Sequence, residues 1–70
     1  MQVEVKEKFE AKLRLFREDR YSPTLNNHSL AGEYAGYRSI NVTGDWRAIF
    51  MEVGETVYFV ALGTHSQLYK

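Results

Sequence analysis

The chain has no cysteine, one proline and no apolar run near the roughly 20 residues that a membrane span needs. Lack of cysteine excludes a disulfide framework and any thiolate metal site, and it fits the reducing cytoplasm, which is the expected location. Met1 to Val5 is too polar for the apolar stretch of a secretory signal. Nine Lys and Arg cancel nine Asp and Glu, so neither sign is in excess. Broad electrostatic adhesion to nucleic acid usually shows as a basic excess. A local basic group built from Arg38 and Arg47 is the form such binding takes here. Two histidines in separate segments, with no close carboxylate pair, give no metal-ligand pattern, and no cofactor is implied.

What is present is an ordinary globular composition spread over 70 residues, read as one domain over 1–70. A chain this short buries only about 60% of its unfolded surface, so its stability is marginal and association with a partner would add to it. Val5, Phe9, Leu13 and Phe16 recur at spacings of four, four and three, which predicts an amphipathic helix over 4–19. Glu4–Lys8 and Glu10–Arg14 stand in the favourable i, i+4 order on its outer face. Pro23 ends it. Residues 20–36 form a long connector of turn residues, pinned to the core by Leu25, Leu30 and Tyr34.

Three strands are predicted at 37–42, 46–53 and 56–62, rich in Ile, Val, Phe and Tyr, with Gly44 and Gly54 at the turns. The fold class is α+β: one N-terminal helix on a three-stranded antiparallel sheet. A two-residue Gly54-Glu55 loop pairs Val53 with Thr56, Phe50 with Phe59 and Arg47 with Leu62. A Thr43-Gly44-Asp45 loop with left-handed Gly44 sets Asn41 beside Arg47. Ile40, Val42, Ala48, Phe50, Phe59 and Ala61 then face the helix. Arg47, Ile49, Met51, Tyr58, Val60 and Leu62 face away, which makes an apolar surface that needs cover from a second copy, a partner segment or the tail.

Arg47 and His65 lie toward the same end of that sheet. Cleaving RNA without a metal needs a base for the 2′-hydroxyl, a cation for the phosphorane oxygens and an acid for the leaving 5′-oxygen. Guanidinium suits the cation and imidazole the acid. Asp45 or His28 is the base. Arg38, Asn41, Trp46 and Tyr69 are the candidate substrate contacts, an aromatic serving to stack on an unpaired base. Each has a plain structural reading too: Arg47 as a rim charge paired with Asp45 or Glu52, His28 and His65 as loop residues, Asp45 as a turn former and Trp46 as core.

These residues carry a resemblance. Leu25–Leu30 (LNNHSL), Gly32, Gly36-Tyr37-Arg38-Ser39-Ile40-Asn41-Val42, Gly44-Asp45-Trp46-Arg47 and Gly63-Thr64-His65-Ser66-Gln67-Leu68-Tyr69 resemble the RelE superfamily of toxins, and its YafQ-like branch above all. The resemblance implies helices on an antiparallel sheet, ribosome-dependent cleavage of mRNA, and neutralisation by a cognate antitoxin. It puts His28 on the family's HxL histidine, Asp45 and Trp46 on its DW pair, Arg47 on a catalytic arginine of RelE-like and YoeB-like relatives, His65 on the general acid and Tyr69 on a terminal aromatic. Asn41 stands where the branch has a second histidine, and Ala61 where it has an arginine. The chain begins at what resembles the family's second helix. These departures set a second expectation beside the first: a non-catalytic relative that binds an antitoxin, or a second copy through the apolar sheet face.

Overall fold

The structure is a computed structural model and describes residues 3–68. Helix α1 runs Val3–Glu18, one residue earlier than its pattern predicts at each end. Val5 and Phe16 are buried, and Phe9 packs against them as the spacing requires. The i, i+4 pairs on the outer face do not close. The ion pair found among the described residues joins Arg20 Nη1 to Glu52 Oε2 at 2.6 Å, linking the end of α1 to the sheet.

The sheet has four strands, not three: β1 (His28–Ser29), β2 (Arg38–Asn41), β3 (Trp46–Val53) and β4 (Thr56–Thr64), antiparallel in the order β1-β2-β3-β4. The added strand is two residues long, too short to show a period. It exists because β2 offers a free edge: His28 pairs with Ser39 and Ser29 with Arg38, and the Leu30 amide donates to the Tyr37 carbonyl at 3.0 Å. The rest of the connector folds into two 3-10 turns, Pro23–Leu25 and Gly32–Tyr34. Leu25 is fully buried in the core. The side chain of Asn27 ties the connector down on both sides. Its Nδ2 donates to the Arg20 carbonyl at 3.1 Å and its Oδ1 accepts from Arg38 Nε at 2.7 Å.

The β3–β4 hairpin turns at Gly54 (φ 61°) with Val53 opposite Thr56 and Phe50 opposite Phe59, as the two-residue loop predicts. Between Ile49 and Phe50 the register shifts by one residue at a bulge. Beyond it Ala48 pairs with Leu62 and Arg47 with Gly63, so Arg47 does not oppose Leu62. Leu62 turns to the helix side and packs on the core, while Ala61 moves beside Ile49 on the other face. Gly44 also departs from expectation, since its φ is not positive; Thr43 Oγ1 shapes the turn instead, accepting from the Trp46 amide at 3.2 Å.

The core on the helix side is built around four phenylalanines. Phe9–Phe59, Phe16–Phe50 and Phe16–Phe59 meet edge to face at 5.5, 5.2 and 5.8 Å between centroids, and Phe50–Phe59 lie tilted at 5.3 Å. Such pairs add about 0.5–1.5 kcal/mol each beyond the area they bury. On the opposite face Ile49 is fully buried within the single chain, while Tyr58 and Val60 are about half exposed.

The tail forms a one-turn helix, α2 (His65–Leu68), closed by a capping box. Gln67 N donates to Thr64 Oγ1 at 3.3 Å and Thr64 N donates to Gln67 Oε1 at 2.9 Å. A Cβ on Gly63 would lie 3.1 Å from Gln67 Oε1 and 3.3 Å from Leu68 Cδ2. Since Gly63 pairs with Arg47, that position points to the Arg47 face, and α2 therefore folds over that face.

Two outcomes follow. Phe16→Ala removes the ring shared by two aromatic contacts and costs about 3–5 kcal/mol. A domain of this length holds on the order of 4–10 kcal/mol in total, so urea denaturation will show a variant near its unfolding threshold. Thr64→Ala costs about 1 kcal/mol, and amide exchange will locate the loss at Gln67 while β3 keeps its protection.

Candidate functional site

Sheet parity sorts the candidate residues. Asn41 pairs with Arg47 and Arg47 with Gly63, so Asn41 and Arg47 share the face away from α1. His28 pairs with Ser39, which pairs with Ile49, and so lies on that face as well. Arg38 pairs with Phe50 and Trp46 packs on the core cluster, which puts both on the α1 side. Arg38 and Arg47 therefore do not form one basic site. Arg38 is held by Asn27 and lies over the Tyr21 ring at 5.8 Å. Tyr69 lies outside the described residues.

Arg47, His28 and His65 line a single open cleft of about 390 Å³, completed by Asn26 and Leu30. Two larger clefts flank α1, and neither contains a histidine, so volume alone points away from the two imidazoles. Strand spacings of about 4.8 Å across and 3.4 Å along put the Cα atoms of His28 and Arg47 roughly 12 Å apart. Both side chains line the cleft from that spacing.

Each of the three residues is set by local structure. The Arg47 side chain makes no hydrogen bond or ion pair among the described residues. Its expected partner Glu52 binds Arg20 instead, and Asp45 forms no ion pair with it. Among the described residues, then, Arg47 is not a rim charge paired with Asp45 or Glu52. His28 Nδ1 lies 2.8 Å from the Asn26 carbonyl oxygen. A carbonyl only accepts, so Nδ1 carries the proton and the neutral ring keeps its lone pair on Nε2. Asn26 can turn its carbonyl this way because it adopts the left-handed conformation (φ 46°, ψ 49°) that asparagine tolerates. His65 opens α2, and its amide donates to the Asp45 carbonyl at 3.1 Å. Asp45 thus contributes a backbone oxygen that seats His65, while its side chain does not line the cleft.

Asn41 is the anomaly of this face. Its Oδ1 is buried and accepts no hydrogen bond. Asn26, expected only as a turn residue, and Leu30, expected to pin the connector to the core, also line the cleft. The αL tendency of asparagine beside a histidine was the available signal for the first, whereas Leu30 gave none beyond its apolar character. Among the described residues no group of three or more His, Asp or Glu side chains could hold a metal ion, and no helix is long and apolar enough to cross a membrane.

The fold recurs in solved structures. YafQ from E. coli strain BL21(DE3) superposes with a TM-score of 0.79 at 22% identity, over 93% of this chain and 74% of that one. The DinJ–YafQ toxin–antitoxin complex of E. coli gives 0.75 at 25% identity, over 93% and 74%. A YoeB/ParE toxin from Agrobacterium tumefaciens gives 0.72 at 19%, over 93% and 78%. A comparison with curated proteins finds no match. The family model for YafQ, a bacterial toxin of type II toxin–antitoxin systems, matches residues 1–70, and with the α+β fold in place this chain belongs to the YafQ toxin family.

Proposed function

We propose that the protein is an mRNA interferase that cleaves ribosome-bound mRNA, with its own side chains supplying base, cation and acid. His28 Nε2 takes the proton of a 2′-hydroxyl. The freed oxygen attacks the adjacent phosphorus, and Arg47 neutralises the charge that builds on the non-bridging oxygens. His65 gives a proton to the departing 5′-oxygen, leaving a 2′,3′-cyclic phosphate and a 5′-hydroxyl. The carrying observation is that one cleft gathers two imidazoles and the side chain of Arg47, a guanidinium that no described carboxylate neutralises. A cleft lined by His28 on one strand and Arg47 two strands away suits a phosphodiester gripped from both sides. Of the two bases open on sequence, His28 is favoured over Asp45, because its Nε2 is the basic nitrogen and Asp45 does not line the cleft.

A cognate antitoxin is the proposed partner. The E. coli YafQ structure with DinJ is that of a toxin bound to its antitoxin, and this chain shares the fold. With no net charge, the protein has little general attraction for RNA, so the ribosome would present the substrate. A second reading, antitoxin binding or self-association without cleavage, is favoured by Asn41 and Ala61, which stand where the resemblance expects ionisable groups.

Expression of the wild-type chain is expected to arrest growth, and co-expression of the antitoxin to relieve it. In a ribosome-supplemented extract Arg47→Ala should slow cleavage by about 10²–10³-fold, and His28→Ala or His65→Ala by about 10²–10⁴-fold. Asp45→Asn should retain most of the activity. A wild-type chain that leaves mRNA intact on active ribosomes refutes the cleavage reading, and binding to the antitoxin alone would then support the second one.

A further inference from the structure

We propose that Asn41 is a positioning residue that orients Arg47 for phosphate, an inference that rests on the cleavage reading above. The two residues are direct cross-strand partners on one face of β2 and β3. Side chains so paired have Cβ atoms about 5 Å apart. One offers a buried carbonyl oxygen with no donor, the other five N–H donors with no acceptor among the described residues. A buried acceptor left alone is costly, and each one in a folded chain calls for a cause.

The complementary state is one in which the Arg47 guanidinium turns one N–H onto Asn41 Oδ1. The remaining donors then face the cleft in a fixed plane, ready for bidentate contact with a phosphate. Without that anchor the long side chain must be ordered by the substrate alone, and the entropy lost in ordering it weakens the transition state. The glycine opposite Arg47 on its other side, Gly63, has no side chain to hold the guanidinium. That leaves Asn41 as the lateral support within this row of the sheet. Asparagine cannot exchange a proton at neutral pH, so its part is geometric.

The test is a double-mutant cycle in the ribosome-supplemented cleavage assay, run at single turnover, with melting temperature and the NMR signal of the Arg47 Nε–H group as independent readouts. Asn41→Leu keeps the approximate volume and removes the orphan acceptor. It is expected to melt at the same or a higher temperature, yet cleave about 10-fold more slowly. In an Arg47→Ala background the same change should have no further effect, because its influence runs through Arg47. Asn41→Asp, which keeps an acceptor at that place, should restore most of the rate. A fall in melting temperature with equal rate losses in both backgrounds would show a structural role and overturn the proposal. The NMR arm stands apart from activity. Inorganic phosphate should sharpen and shift the Arg47 Nε–H signal in wild type and leave it exchange-broadened in Asn41→Leu. If the wild-type chain cleaves nothing, the cleavage reading falls and this arm alone decides; identical phosphate responses in the two proteins would overturn the positioning role.

Discussion

A single extra residue in β4 sets which side chains meet at the cleft. Up to the bulge, the β3–β4 ladder follows the register of its tight turn, with Phe50 against Phe59 inside the core. Had that register continued, Leu62 would oppose Arg47 and occupy the cleft wall, and Ala61 would face α1. The shift instead brings Gly63 opposite Arg47 and turns Leu62 into the core. Because Gly63 has no Cβ, Leu68 and Gln67 approach its backbone closely, and the chain can fold back over the Arg47 face at once. The capping box and the hydrogen bond from the His65 amide to the Asp45 carbonyl then hold His65 at the mouth. A bulge that re-aims side chains is a recurring device of antiparallel sheets.

The parts of this arrangement that were legible in the sequence are those with a period. The helix face of Val5, Phe9 and Phe16, and strands of eight and nine residues, announce themselves by spacing and by β-branched and aromatic content. The bulge has no such signature, because its cause is packing: Phe59 must meet Phe9 and Phe16, and Leu62 must also reach the core. Strand β1 was hidden for a different reason. His28 and Ser29 are polar and exposed, and they become a strand only because the edge of β2 is present to receive them. The Thr64-His65-Ser66-Gln67 capping box could have been read directly, and it would have placed His65 at a helix start rather than in an undefined tail.

Of the candidate residues, Arg47, His28 and His65 converge, and the sequence blocks had already singled them out. Their grouping could not be read from the chain alone, since it depends on β1 pairing and on the shifted register. Arg38 and Trp46 illustrate the converse. Both sit near Arg47 in sequence or across the ladder, yet one residue of parity sends each to the α1 side, where Arg38 meets Asn27 and Trp46 meets the core.

The sheet thereby divides its work between two faces. The α1 side carries the phenylalanine cluster, Leu25 and most of the apolar burial, all of it locally consistent with folding. The other side breaks the usual rules in two adjacent places: an arginine with no partner among the described residues and a buried amide oxygen with no donor. Neither feature stabilises this small domain, and the second costs it free energy. Departures from good packing and polar satisfaction gather where a structure is shaped for something other than its own stability. Here they lie side by side across one ladder, next to the two imidazoles, and nothing on the opposite face asks for them. The proposed site is thus set apart from the packing: its arginine and its amide oxygen lie on one face of the sheet, and the phenylalanine cluster that holds the sheet lies on the other.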